Sequence, residues 1–179
     1  MTELTRIRLR TLVWLFLIPI PLIGILPAWL HHHLEGRFTW APTLGQWLGV
    51  WLILNGLGLA GWCVTLFNVR GRGTPLPHDP PKHFVAEGPY RWTRNPMFLS
   101  VFLLVAGEGL LYQSSVLLLY LLLVISVAHL FVVLVEEPDL RRRFGAAYDA
   151  YHRQVPRWIP KSPKKQYNKR LDHKESWCR

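Results

Sequence analysis

Glu136 and Glu137 stand together where a long apolar run ends, and a second polar stretch precedes the apolar run before it. That stretch reads Gly88-Pro89-Tyr90-Arg91-Trp92-Thr93-Arg94-Asn95-Pro96-Met97-Phe98. Two acids at the edge of an apolar segment, facing an arginine-rich loop, form a candidate cation site. Arg94 and the free amides of a helix starting at Pro96, with Asn95 as its cap, favour a carboxylate or another anion. Each stretch also has a plainer reading. The glutamates could be solvated partners of Arg141 and Arg142, and the Asn95-Pro96 stretch could be an ordinary helix start with interfacial aromatics. Glu108 is a separate candidate. An acid inside an apolar segment is costly and marks function by default, unless it reaches the headgroup region.

Bringing the two stretches together requires the chain to leave and return to one face. The 37 residues 99–135 between them, mostly Leu, Val, Ser and Tyr, are enough for a helical hairpin through a bilayer. Spanning the hydrocarbon takes about 20 helical residues, and four apolar segments approach that length: 12–30, 44–69, 96–112 and 115–135. The third is short and borrows its first turn from the Arg94-Asn95-Pro96 region. Beyond Val135, Leu140, Phe144, Tyr148 and Tyr151 recur every three or four residues, which predicts an amphipathic helix over about 136–153. The expected fold is an all-α integral membrane protein with four transmembrane helices. A cytosolic loop and the C-terminal amphipathic helix are expected to form the site. Residues 1–160 read as one domain, and 161–179 as a basic, disordered tail lying against anionic headgroups.

Charge placement gives the orientation. The net charge is +10. Three arginines precede the first segment, the loop 70–95 carries five Lys and Arg, and twelve follow Val135. The stretch 31–43 holds only Arg37, and the turn 112–115 holds none. The positive-inside rule then sets both termini and the long loop in the cytoplasm, as for a bacterial inner-membrane protein. The basic excess reflects this bias, so no nucleic-acid partner is expected. The N-terminal run resembles a signal peptide, but Pro19, Pro21 and Pro27 and the absence of a small-residue cleavage site favour a retained helix. Cys63 and Cys178 are not expected to meet. The run His31-His32-His33 is read as a solvated interfacial cluster, and no metal site is expected.

The Gly- and Pro-rich loop 70–89 reads as a constrained, extended cover, suited to a ligand wall. With Phe84-Val85, Gly88-Pro89-Tyr90-Arg91, Arg94-Asn95-Pro96-Met97-Phe98 and Glu136-Glu137-Pro138-Asp139-Leu140 running to Phe144-Gly145, the chain resembles a family of membrane methyltransferases. That family includes isoprenylcysteine carboxyl methyltransferase and the phospholipid N-methyltransferases. Its pattern is a Leu-Val turn, Gly-x-Tyr-Arg, Arg-His-Pro-x-Tyr, a helical hairpin, and Glu-Glu-x-x-Leu-x-x-x-Phe-Gly. The likeness covers about half the chain, roughly 73–160. Asn95 replaces the family's histidine and Phe98 its tyrosine. Val132 stands where the eukaryotic carboxyl methyltransferases carry a substrate-contacting arginine, a departure that argues against a prenylated-protein acceptor.

The resemblance implies S-adenosylmethionine as methyl donor, contacted by Lys82, His83, Phe84, Val85, Tyr90, Asn95, Pro96, Met97, Phe98 and Glu136. By its charge Arg94 is a further candidate, for the donor's carboxylate. No metal is implied. A small lipophilic acceptor would enter from the bilayer between the third and fourth segments, with membrane lipids as neighbours. Carboxyl O-methylation needs no base. Methylation of an ammonium needs one, for which Glu108 and Glu137 are candidates. Arg157, after the amphipathic helix, is placed on the substrate side at the pocket mouth. A sterol-type reductase using NADPH is the alternative enzyme, but its cofactor's 2′-phosphate demands more cations than this acidic pair offers. A non-catalytic membrane protein or small transporter would carry its polar residues at the helix midplanes, whereas here they gather at one edge.

Overall fold

The computed structural model describes residues 21–36, 38–71 and 86–161, and every regular element among them is helical. A π-helical turn at Pro21–Ile25 runs into α1, Leu26–Leu34. The long α2 covers Leu44–Leu66 and closes in another π turn, Phe67–Gly71. A 3-10 turn at Gly88–Arg91 leads to α3, Pro96–Leu111, and a tight turn then starts α4, Ser115–Phe131. The π turn Val132–Glu136 joins α4 to α5, Glu137–Phe144, and α6 follows at Ala146–Gln154.

Helix starts are set by side-chain acceptors at orphan backbone amides. Thr43 Oγ1 accepts from Gln46 N at the head of α2, and Ser114 Oγ accepts from Leu117 N at the head of α4. Glu35 reaches across from the end of α1 to reinforce the latter. Its Oε1 accepts from Ser115 Oγ at 2.7 Å and from Val116 N at 3.1 Å. Hydrogen bonds from Ser114 and Ser115 hold the Glu35 carboxyl down at about 2. Gln46, 1% exposed, donates to the carbonyls of Thr39 and Leu111 and accepts from Ala41 N. It thereby ties the approach to α2 onto the end of α3.

The antiparallel pair α2 and α3 packs most closely, because small residues line the seam. Gly49, Gly56 and Cys63 are buried at seven-residue intervals on α2. On α3, Gly107 and Ser100 answer them at the same interval. A Cβ on Gly49 would lie 2.6 Å from the Gly107 carbonyl, and one on Gly107 would lie 2.7 Å from the Gly49 carbonyl. Backbones at such range gain dispersion contacts along their length, the usual basis of helix association where lipid removes the hydrophobic drive.

Four membrane crossings were expected; among the described residues two helices are long and apolar enough to cross a membrane, Leu44–Val69 and Ser115–Phe144. Only 11% and 22% of their apolar windows are buried, whereas a soluble core helix would be mostly enclosed. Large side chains such as Trp47, Trp51, Leu54, Leu119, Leu122 and Leu134 point outward instead. Pro96–Leu111 is a shorter apolar helix. Of the segment 12–30, residues 12–20 lie outside the described residues, and 21–30 belong to the first π turn and α1. The histidine run is not uniformly solvated: His31 is 8% exposed, stacks on Tyr112 and lies 3.3 Å from Glu35 Oε2, while His32 and His33 are exposed.

The single amphipathic helix expected over 136–153 is divided. Its first residue belongs to a π turn, and Gly145, at φ 50° and ψ −127°, separates α5 from α6. Side chains are disfavoured in that backbone region. The expected apolar face nevertheless survives the break. Leu140 and Phe144 of α5 pack against Tyr148, Tyr151, Val155 and Ala86.

Candidate functional site

The site begins with a backbone clasp between the two polar stretches. Arg94 N donates to the Pro156 carbonyl at 2.9 Å, and Lys161 N donates to the Trp92 carbonyl at 3.0 Å. Between them, Thr93 Oγ1 and Asn95 Nδ2 both donate to the Arg157 carbonyl, at 2.9 and 3.1 Å. The Tyr151 hydroxyl donates to the Tyr90 carbonyl, 2.8 Å away and buried. The chain after α6 is therefore laid against the approach to α3, and the gathering of the two stretches at one end of the bundle is realised.

Glu137 is the electrostatic centre of this junction. Arg157 grips it with two donors, Nε to Oε1 at 2.7 Å and Nη2 to Oε2 at 3.0 Å. Arg94 Nη1 lies 3.0 Å from Oε1, an ionic contact with side chains 8% and 13% exposed. The hydrogen bond to Glu137 raises the Arg157 pKa. His152 Nε2 is 3.6 Å from Oε2, but burial and the charge of Arg94 lower its pKa. The solvated pairing of the glutamates with Arg141 and Arg142 does not occur, because π-turn geometry carries Glu137 inward. Arg141 pairs with Asp149, and Arg142 with Asp139.

Glu136 is half-buried and forms no hydrogen bond or ion pair among the described residues. It is near enough to Tyr90 and Tyr148 to act on both electrostatically. Tyr90 is buried, edge-on to Phe67 at 5.3 Å between ring centroids, and also meets Cys63. Its position depends on Gly88, at φ 54°, where a Cβ would lie 2.8 Å from Leu66 Cδ1. Pro96 begins α3 and is buried. Asn95 occupies the cap position without capping; its Nδ2 donates to the Arg157 carbonyl, which fixes the side chain's orientation. The first-turn amides of α3 consequently lack a side-chain acceptor from their cap residue. Nearby, Arg94 Nε and Arg91 Nε are buried without hydrogen-bond partners among the described residues.

Met97 contributes its carbonyl to Ser100 Oγ at 2.6 Å, and Phe98 faces Phe131 and Trp158. Lys82, His83, Phe84 and Val85 lie outside the described residues. Glu108 is not brought to the junction. Twelve residues beyond Pro96, at about 1.5 Å rise each, it sits near the far end of α3, with Oε2 buried and unpartnered among the described residues. A groove of about 480 Å³ lined by Leu54, Asn55, Gly58, Leu59, Trp62 and Leu103 holds no ionisable side chain, and we assign it to the exterior of α2 and α3. No cluster of three metal-ligating side chains occurs among the described residues.

Two features escaped the sequence reading. The seven-residue spacing of Gly49, Gly56 and Cys63 could have revealed the α2–α3 seam. Nothing comparable announces the π turn that rotates the acidic pair. Comparison with curated proteins and with solved structures gives no match. A family model described as phospholipid methyltransferase matches residues 43–147. That span holds α2, the approach to α3, the α3–α4 hairpin and the acidic pair, and covers more than half of the sequence, so the chain belongs to the phospholipid methyltransferase family.

Proposed function

We propose that the protein is an integral membrane methyltransferase that uses S-adenosylmethionine to methylate a lipophilic acceptor at the cytosolic face. The observation carrying this reading is the junction itself, where Glu136 and Arg94 both act electrostatically on Tyr148. Among the described residues Glu136 forms no hydrogen bond or ion pair, and Arg94 Nε is buried without a hydrogen-bond partner. A ligand bearing both an ammonium and a carboxylate complements that pair of charges. Outward-facing Leu and Trp side chains on α2 and α4 support bilayer insertion, and α3, packed along α2, would cross with them. The segment 12–30 would supply the fourth crossing. The arginines and lysines around the junction favour a cytosolic position for it.

The residues present fit the donor. Glu136 would hold its ammonium or ribose hydroxyls, and Arg94 with the first-turn amides of α3 would hold its carboxylate. Tyr90, Pro96, Met97 and Phe98 would form the wall beside it, with 82–85 as cover. Bound there, S-adenosylmethionine would supply an activated methyl group on a sulfonium. The chain's own task is then orientation and exclusion of water. Arg157 and Glu137, already bound to each other, fix the clasp and thus the shape of the pocket. Glu137 faces two guanidinium groups and is poorly suited to accept a proton. Glu108 is distant. An acceptor carboxylate fits without any base, while an acceptor amine must shed its proton to another group.

Calorimetric titration of the detergent-purified protein with S-adenosylmethionine, and separately with NADPH, tests the reading. Micromolar binding of the first is expected, weakened roughly tenfold to a hundredfold in Glu136→Gln, the range of one charge-assisted hydrogen bond. Binding of NADPH alone, or unchanged affinity in the variant, would overturn the reading or the role of Glu136 respectively.

A further inference from the structure

Trp158 lies beside the proposed pocket, held between the Pro96 end of α3 and the last turns of α4. Its ring centroid is 5.5 Å from Phe102 and 6.3 Å from Phe98 on α3, and 6.1 Å from His129 on α4. The indole Nε1 donates to His129 Nδ1 at 3.1 Å, which requires the histidine tautomer with its proton on Nε2. A second contact, Phe98 to Phe131 at 6.2 Å, bridges the same two helices alongside. Trp158 is not part of a helix. It is carried on the short strap 155–161, which the clasp fastens at Pro156, Arg157 and Lys161.

We propose that the Trp158 indole closes the side opening between α3 and α4, and that the apolar chain of the acceptor takes its place when it enters from the bilayer. The inference deepens the methyltransferase reading and rests on it for the identity of the acceptor. Three features support a displaceable plug over a core residue. The ring is only half-buried, its single hydrogen bond goes to an exposed histidine, and the neighbouring Ile159 is 80% exposed. The surrounding aromatic rings offer an apolar chain the same contact surface that they offer the indole. The closed plug lowers apparent acceptor affinity by the fraction of time it is shut, so it discriminates against molecules lacking a chain long enough to replace it.

The test is fluorine NMR of the full chain labelled with 5-fluorotryptophan in phosphatidylcholine nanodiscs, with Trp158→Phe assigning the resonance. Titration with oleate, or with phosphatidylethanolamine in the discs, is expected to shift the Trp158 line. Phosphoethanolamine, a headgroup without chains, is expected to leave it in place. His129→Leu removes the latch and should lower the acceptor KM about fivefold, the worth of one neutral hydrogen bond, with kcat little changed. The other tryptophan lines report whether each variant is folded. A Trp158 line unmoved at saturating acceptor would overturn the inference, as would an unchanged KM in a folded His129→Leu. Donor calorimetry on the same samples separates the two readings: a moving Trp158 line without donor binding keeps the plug and removes methyl transfer.

Discussion

Glu137→Gln should unfasten the strap at 155–161 while leaving the helices in place. The substitution preserves shape but removes one negative charge from between two guanidinium groups. Arg157 loses the counter-charge for donors at 2.7 and 3.0 Å, and Arg94 loses the one 3.0 Å from its Nη1. At an effective dielectric near 20, each such contact is worth about 4 kcal/mol gross. Solvation of the freed arginines offsets much of it, and breaking a buried pair by removing one partner typically costs about 3–5 kcal/mol. Arg94 is the less able to recover solvation, with a side chain 8% exposed against 29% for Arg157. Taking about 3 kcal/mol, the lower bound, local opening of the strap becomes roughly a hundredfold more frequent. Hydrogen exchange read by mass spectrometry over 155–161 should accelerate by that factor, while peptides from α2 and α3 change little. Arg157→Gln should show a smaller effect, since Glu137 keeps Arg94. The double variant should cost less than the sum of the singles. Unchanged exchange at the strap in Glu137→Gln would refute the ion-pair account of the clasp.

Gly107→Val should destabilise the α2–α3 pair by about 1–3 kcal/mol or more. Its Cβ would meet the Gly49 carbonyl at 2.7 Å and Ile53 N at 3.0 Å, backbone atoms that cannot yield as a side chain can, besides Ile53 Cγ1 at 2.7 Å. A lowered thermal midpoint in detergent checks this, and an unaltered midpoint would contradict the close seam. Glu35 predicts an acid-sensitive α4 start. Its carboxyl is depressed from 4.5 to about 2 in the folded protein, so its stabilising effect is complete above pH 4.5 and fades as pH falls toward 2. Glu35→Gln should therefore lower the thermal midpoint at pH 6 and differ progressively less from the parent toward pH 2. An equal deficit at both ends of that range would exclude the mechanism.

The meeting of the two polar stretches was legible in the sequence because an apolar hairpin between them leaves few other arrangements. Tyr148 and Tyr151 were legible as one face by their periodicity, which the break at Gly145 does not destroy, since α6 resumes against the same cluster. The partners of Glu137 were not legible. Sequence proximity favoured Arg141 and Arg142, but five residues of π turn redirect the acid toward Arg94 and Arg157, far away along the chain. Asn95 misled for a similar reason. Its type and its place before Pro96 predict a cap, but its Nδ2 donates to the Arg157 carbonyl, a tertiary partner that orients the side chain and that local reasoning cannot see. Nothing in the local sequence marks Glu35 or Gln46, although each spends its hydrogen bonds joining two elements.

The clasp also fixes an order of assembly. The α3–α4 hairpin joins neighbours in sequence and can form as soon as residues 96–131 have been made. Arg94 and Pro156, by contrast, are 62 residues apart (156 − 94), and Trp92 and Lys161 are 69 apart (161 − 92). Contacts of such separation carry their loop entropy before any return. The clasped end of the molecule is thus completed only after its hydrophobic body, when the ribosome has released the strap. A chain interrupted after Gln154 would keep its helices but lack Arg157 and the strap's half of the clasp.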